Sequence, residues 1–231
     1  MQKMLINYNN VNIYQDTDLI LKNVNLCVDT HQFIYIIGKV GSGKSSLLKS
    51  FYRELDIYKG DADKAEVLGR NLMTLKTKDE PALRREMGII FQDFQLLTDR
   101  NVRDNLDFVL RSTGWKKKDE RHKRIREVLE AVGMEERADR YPSELSGGEQ
   151  QRIAIARSLL NNPKIIIADE PTGNLDPDTA EKIVGLLHSI SCAGTTVVIS
   201  THNHGLIEMF SGKVYKCEDG HLVEAGRQDQ P

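Results

Sequence analysis

Apolar residues run without interruption in three short stretches, FIYII at 33–37, IIIA at 165–168 and TVVI at 196–199. Runs of this length, with no alternation of apolar and polar positions, predict strands buried on both sides. VNLCV at 24–28 instead alternates apolar and polar positions, the period of a half-buried strand, and the first 30 residues as a whole are β-rich. FIYII passes straight into glycines and then SLLKSFY, which reads as a helix. In DERHKRIREVLEAV (119–132), Ile125, Val128, Leu129 and Val132 fall at i, i+3, i+4 and i+7, one helical face that Gly133 closes. Ala180, Ile183, Val184 and Leu187 give a second such face between IIIA and TVVIS, and CEDGHLV carries Asp219-Gly220 as a hairpin turn. Alternating strands and helices predict an α/β core, a parallel sheet flanked by helices, interrupted by a helical insertion over about 94–160.

The chain of 231 residues suits one domain over 1–231. Its 32 Lys+Arg against 34 Asp+Glu leave a net charge of −2, so the whole chain offers no electrostatic reason to bind nucleic acid. Hydrophobic residues at 39% and charged residues at 29% describe a soluble globular protein rather than a disordered one. No apolar run approaches the roughly 20 residues that cross a bilayer. MQKMLINYNN lacks the basic-then-apolar layout of a signal peptide. Together these predict a chain that stays in the cytoplasm and meets a membrane only peripherally, through a partner. Cys27, Cys192 and Cys217 are odd in number and far apart, with neither zinc-site spacing nor a disulfide framework, and are expected as buried or free thiols.

Residues 38–45, GKVGSGKS, match G-x-x-x-x-G-K-[ST] between a buried strand and a helix. Gly38, Gly41 and Gly43 allow the backbone, through Lys39, Val40 and Ser42, to wrap phosphate oxygens with its N–H groups. The following helix aims its N-terminus at the same anion. Lys44 is placed to reach the β- and γ-phosphates, and Ser45 to offer its hydroxyl to Mg²⁺. The spacing therefore predicts a purine-nucleoside triphosphate site. Asp169-Glu170 end the IIIA strand, where the ligand crevice of a parallel sheet lies. Because adjacent strand residues point to opposite sides, Asp169 is the candidate for the metal shell and Glu170 for polarising the attacking water.

Residues 145–152 read LSGGEQQR, in which Ser146, Gly147 and Gly148 precede a helix predicted from Glu149 to about Leu160. At this point the sequence resembles the ATP-binding cassette (ABC) ATPases over nearly the whole chain. The motifs stand in order: Tyr14 in VNIY, GKVGSGKSS ending in Ser46, Gln92 in FQDF, LSGGEQQR, IIIADEP, GNLD ending in Asp176, and His202 in STHN. The resemblance implies a P-loop NTPase fold with a RecA-like core, an N-terminal antiparallel β subdomain and the helical insertion. It implies that Tyr14 stacks on adenine: an isolated tyrosine is more often a packing residue, but its place in VNIY ahead of Gly38 favours the stacking role. It further implies that Gln92 reports on the γ-phosphate and metal, and that His202 holds the γ-phosphate and Glu170. Ser146, Gly147, Gly148 and Glu149 are then expected to grasp the ATP of a second subunit, with Asp176 on the loop crossing to it, so the expected assembly is a homodimer. Departures are Val40, after Lys39, where many relatives have a small polar residue, Ser46 for the usual Thr, and Asn203 after His202 where Asp is frequent.

Within the family the stretches ALRREMGIIFQDFQLLTDRNVRDNL, LSGGEQQRIAIARSLLNNP and ADEPTGNLD are most similar to the bacterial cell-division cassettes. That implies an integral membrane partner resembling FtsX, at the cytoplasmic face of the inner membrane, and regulation of cell-wall hydrolases. Cassettes of lipoprotein release and macrolide export share much of the pattern, so a transporter subunit is the alternative. Phe94, Leu96 and Leu97 are candidates for partner contact, with Val102, Leu106 and Val109 expected to pack inward. WKKKDERHKRIR at 115–126 reads either as a solvated helix start or as a contact for anionic headgroups or a partner loop.

Overall fold

A computed structural model describes residues 3–228. The first two strands are long: β1 (Met4–Gln15) and β2 (Asp18–Asp29) form an antiparallel pair whose Ile6, Tyr8, Val11, Ile13, Leu21, Val24, Leu26 and Val28 all face inward. β3 (Phe33–Ile37), the FIYII run, is buried at every position and feeds the glycine loop and α1 (Lys44–Phe51). β4 (Lys64–Val67), β5 (Arg70–Asn71), α2 (Glu80–Arg85) and β6 (Met87–Ile90) follow. Three helices make the insertion: α3 (Val102–Ser112), α4 (Lys118–Val132) and α5 (Gly147–Leu159). The chain returns through β7 (Ile165–Ala168), α6 (Pro177–Cys192), β8 (Thr196–Thr201), α7 (His204–Met209), β9 (Gly212–Glu218) and β10 (His221–Gln228).

Two sheets result. A four-stranded antiparallel sheet runs β2-β1-β4-β5, and a six-stranded sheet runs β10-β9-β3-β8-β7-β6, parallel except for its β9–β10 hairpin. The expected α/β core, antiparallel N-terminal subdomain and helical insertion are all present. Period-two alternation sorts the central strands between two cores. Phe33, Tyr35, Ile37, Ile166, Ala168, Val197 and Ile199 join the core under the insertion helices and α6. Ile34, Ile36, Ile165, Ile167 and Val198 join α1 and the antiparallel sheet. Of α4, the four expected residues Ile125, Val128, Leu129 and Val132 are the buried ones, each burial contributing about 1.5–3 kcal/mol, and Gly133 ends the helix at φ 66°.

The basic stretch at 115–126 is not uniformly a solvated face. Arg121 turns inward to Asp107 (2.6 Å) and to the carbonyls of Trp115 and Lys116. Arg124 donates to the last carbonyls of α5, at Leu159 and Leu160. The hairpin turn at Asp219-Gly220 has positive φ at both residues (49° and 73°), the backbone that an Asp-Gly pair adopts with little strain. No helix among the described residues is long and apolar enough to cross a membrane. Cys217 is buried, Cys27 and Cys192 are exposed, and none is in a disulfide. Iodoacetamide should therefore label Cys27 and Cys192 of the native protein and leave Cys217 untouched. Mass spectrometry of the intact, labelled chain checks this; rapid adduct formation at Cys217 would contradict its burial.

Candidate active site

The glycine loop leaves the end of β3 and turns at Gly38 (φ 149°), Gly41 (78°) and Gly43 (96°). Two of these positions admit no side chain. A Cβ on Gly38 would lie 2.5 Å from the Cys217 carbonyl oxygen, and one on Gly43 would lie 2.9 Å from the Ile20 side chain. The loop is thus pressed between β9 and the start of β2. Gly43 is the N-cap of α1 and supplies no side-chain bond, whereas Ser146 caps α5 and Asp176 caps α6. The first-turn N–H groups of α1 therefore point outward without a side-chain acceptor, the arrangement that receives an anion.

Lys44 is 4% exposed, and its ammonium donates to the carbonyls of Gly38 and Lys39, both at 3.1 Å. It also pairs with Glu170 Oε1 at 3.1 Å. The other carboxylate oxygen, Oε2, lies 3.1 Å from His202 Nδ1. Lys44, Glu170 and His202 come together from three separate motifs. β7 ends at Ala168, so Asp169 and Glu170 lie just beyond the strand. The expectation that strand alternation separates the two carboxylates is therefore corrected. Glu170 has φ 43°, a left-handed backbone that costs a non-glycine residue about 1–3 kcal/mol and is held here by its contacts. Ser200 does much of the holding: its Oγ lies 2.6 Å from Asp169 Oδ1 and 2.8 Å from the Glu170 N–H that donates to it. Ser200 was not singled out in the sequence, although a buried Ser-Thr at the end of an apolar strand was the available signal.

Ser45 is exposed on the first turn of α1, Gln92 is exposed after β6, and Asp169 follows β7. The Gln92 Nε2 would stand 3.1 Å from a Cβ on Gly173, and Asn174 Nδ2 donates to the Gln92 carbonyl (3.3 Å). A hydroxyl, an amide and a carboxylate would offer a cation oxygen donors, the chemistry that suits a small hard ion such as Mg²⁺. Tyr14 is half-buried near the end of β1, and Val40 is 87% exposed at the tip of the loop. Burial pushes the Cys217 thiol up to about 11, with the nearby Lys44 charge opposing the shift.

The residues of the LSGGE stretch lie elsewhere. Ser146, Gly147, Gly148 and Glu149 line an open cleft of about 690 Å³ together with Arg137, Arg152, Asp176 and Lys182, and none of residues 38–46 borders it. α5 starts at Gly147, two residues earlier than predicted, because the Ser146 cap accepts from the Glu149 N–H and the glycines become the first turn. The Glu149 carboxylate answers by accepting from the Ser146 N–H and hydroxyl, both at 2.9 Å, and pairs with Arg137. Those bonds, the Ser146 backbone first, hold the Glu149 carboxyl below the usual range. Asp176 is likewise lowered, by its capping bonds to Thr179.

The segment linking Gln92 to α3 is pinned at both ends. Arg157 on α5 donates to the carbonyls of Phe94 (2.8 Å) and Gln95. The buried Asn105 side chain accepts from the Leu97 N–H (2.8 Å) and donates toward the carbonyls of Leu97, Arg100 and Asn101. Phe94 and Leu96 are half-buried and Leu97 is 37% exposed. Val102 and Leu106 pack inward as expected, Leu110 joins them, and Val109 is only half-buried. Neither Arg157 nor Asn105 carried a sequence signal beyond a polar residue on an otherwise apolar helical face.

The ABC transporter family model matches residues 21–173. The cell division ATP-binding protein FtsE of Streptococcus pneumoniae serotype 2 (strain D39 / NCTC 7466) is 43% identical over 210 residues, 91% of this chain and 90% of that protein. FtsE of Bacillus subtilis (strain 168) is 41% identical over 203 residues, 88% of this chain and 87% of that protein. The methionine import ATP-binding protein MetN of Geobacillus kaustophilus (strain HTA426) is 40% identical over 88% of this chain but 59% of its own length. Among solved structures, a dimeric post-hydrolysis state of the ATP-binding cassette MJ0796 bound to ADP and Pi superposes with a TM-score of 0.78 at 31% identity, covering 99% of each chain.

Proposed function

The chain belongs to the ABC transporter family of ATP-hydrolysing cassettes, and on that premise we propose that it is the ATPase of a bacterial cell-division complex at the cytoplasmic face of the inner membrane. Two copies close on two ATP molecules, and closure is relayed through an integral membrane partner resembling FtsX to control cell-wall hydrolases. The observation that carries this reading is likeness to cell-division cassettes over nearly their full length. The alternative, the ATPase of a solute transporter, has the import cassettes in its favour, whose match spans about three fifths of their length.

In the proposed cycle Tyr14 stacks on adenine and the loop from Gly38 to Ser46 surrounds the phosphates. Lys44 leaves Glu170 for the β- and γ-phosphate oxygens. Glu170, freed on one oxygen and steadied by His202 on the other, accepts a proton from the attacking water. Mg²⁺ would supply charge neutralisation at the phosphates, held by Ser45, Gln92 and Asp169. The separation of the signature cleft from the glycine loop supports a site completed by the second copy, with Ser146 to Glu149 and Asp176 donated across the dimer.

Depletion separates the readings: filamentation and co-purification of an FtsX-like membrane protein support the division role, whereas loss of solute uptake or export with normal division supports the transporter. Partner docking beside the Gln92 segment makes a further expectation. Leu97→Asp should weaken co-purification of the membrane protein and abolish its stimulation of hydrolysis, while fluorescent-ATP binding by the free subunit stays unchanged. Normal co-purification would place the docking surface elsewhere.

A further inference from the structure

Two consecutive non-glycine residues, Phe94 and Gln95, hold left-handed backbone (φ 59° and 48°), separated from Gln92 only by Asp93. Neither a glutamine nor a phenylalanine adopts that region by preference, so something outside the segment must hold it. The Gln95 side chain is exposed and the Gln95 N–H is turned back onto the Asp93 carbonyl (2.6 Å). The external grip is the guanidinium of Arg157, which forks across both strained carbonyls. Arg157 sits on α5, the same helix whose first turn is Gly147-Gly148. The Phe94 ring closes the link from the other side: its Cζ would lie 3.8 Å from a Cβ on Gly147.

We propose that Arg157 is a positioning residue that latches the Phe94-Gln95 backbone in its strained form and so ties the setting of Gln92 to the signature helix of the same chain. The guanidinium reaches the two carbonyls with separate nitrogens held in one rigid plane, whereas a lysine is shorter and brings a single nitrogen on a flexible stem, so from this position on α5 it holds the pair less firmly. Movement of α5, whose first turn faces the second copy in the proposed dimer, then shifts the glutamine without any direct contact between them. This inference rests on the proposed role of Gln92 in hydrolysis.

The test measures kcat and the MgATP dissociation constant of the full chain. Arg157→Lys should lower kcat about tenfold, the equivalent of one lost charge-assisted bond, with MgATP affinity unchanged because the glycine loop lies on other elements. Gln95→Gly, which adopts left-handed backbone unaided, should restore most of that loss in the double variant. Gln95→Val leaves Arg157 intact and alters only an exposed side chain, but a β-branched residue resists positive φ, so it should reproduce the tenfold fall by about the same factor. A normal kcat in Gln95→Val, or no rescue by Gln95→Gly in a folded Arg157→Lys protein, overturns the latch. Gln92→Ala serves as the reference: slow hydrolysis there with normal Gln95→Val overturns the latch alone, and undiminished hydrolysis in Gln92→Ala overturns the glutamine's role as well.

Discussion

Lys44→Ala should lower kcat/KM for ATP about 10³-fold, because the change removes two charge-assisted contacts to phosphate, each worth about 1.5–3 kcal/mol. The side chain is well placed to make them. It is buried, its ammonium is already within 3.1 Å of the loop carbonyls that flank the anion cradle, and its present carboxylate partner is Glu170. Losing it also leaves Glu170 without its cationic neighbour, so a carboxylate would face the incoming phosphates uncompensated. Steady-state hydrolysis by gel-filtered protein, with circular dichroism to verify folding, checks the expectation. Undiminished turnover would show that the glycine loop is not where the nucleotide's phosphates lie.

Glu170→Gln should leave ATP binding intact and slow hydrolysis by roughly 10²–10⁴, the usual cost of losing a positioned general base, or about 3–5 kcal/mol of barrier. The amide has the same shape and keeps an oxygen for Lys44, so the local fold has little reason to change, but it cannot take a proton from water. If ATP binding drives closure and hydrolysis resets it, the variant should accumulate as a dimer with MgATP. Size-exclusion chromatography reads this directly. A variant that stays monomeric at saturating MgATP would argue against a sandwich formed by the isolated subunit.

The sequence made the nucleotide machinery legible because phosphate chemistry requires residue types at fixed local spacing. A glycine loop between an apolar strand and a helix has few other uses, and residues 38–45 occupy the expected place. The three buried strands were equally plain, since runs of three to five apolar residues leave no face for water. What stayed hidden depends on contacts between distant segments. Ser200 meets Asp169 and Glu170 only because β7 and β8 are neighbours, and Arg157 meets Phe94 across more than 60 positions of chain. Positive φ at Phe94, Gln95 and Glu170 is imposed by such contacts and has no trace in residue type. The start of α5 was misplaced for a related reason: glycines read as helix breakers, yet a capping Ser146 and its reciprocal Glu149 outweigh their low propensity.

β3 has one face in each of the two cores and a hydrogen-bonded neighbour along each edge. Such a strand has no way to open by itself. Its amides are released only when both halves of the domain come apart, which is global unfolding rather than local fluctuation. The anchor of the glycine loop therefore belongs, with β7 and β8, to the slowly opening centre of the molecule. Nucleotide entry and exit must be accommodated by the segments around it: the loop tip at Val40, the strained residues after Gln92, and the cleft at the head of α5. Evolution can retune exchange rates at those places without touching the anchor, whereas any change within β3 draws on the stability of both halves at once.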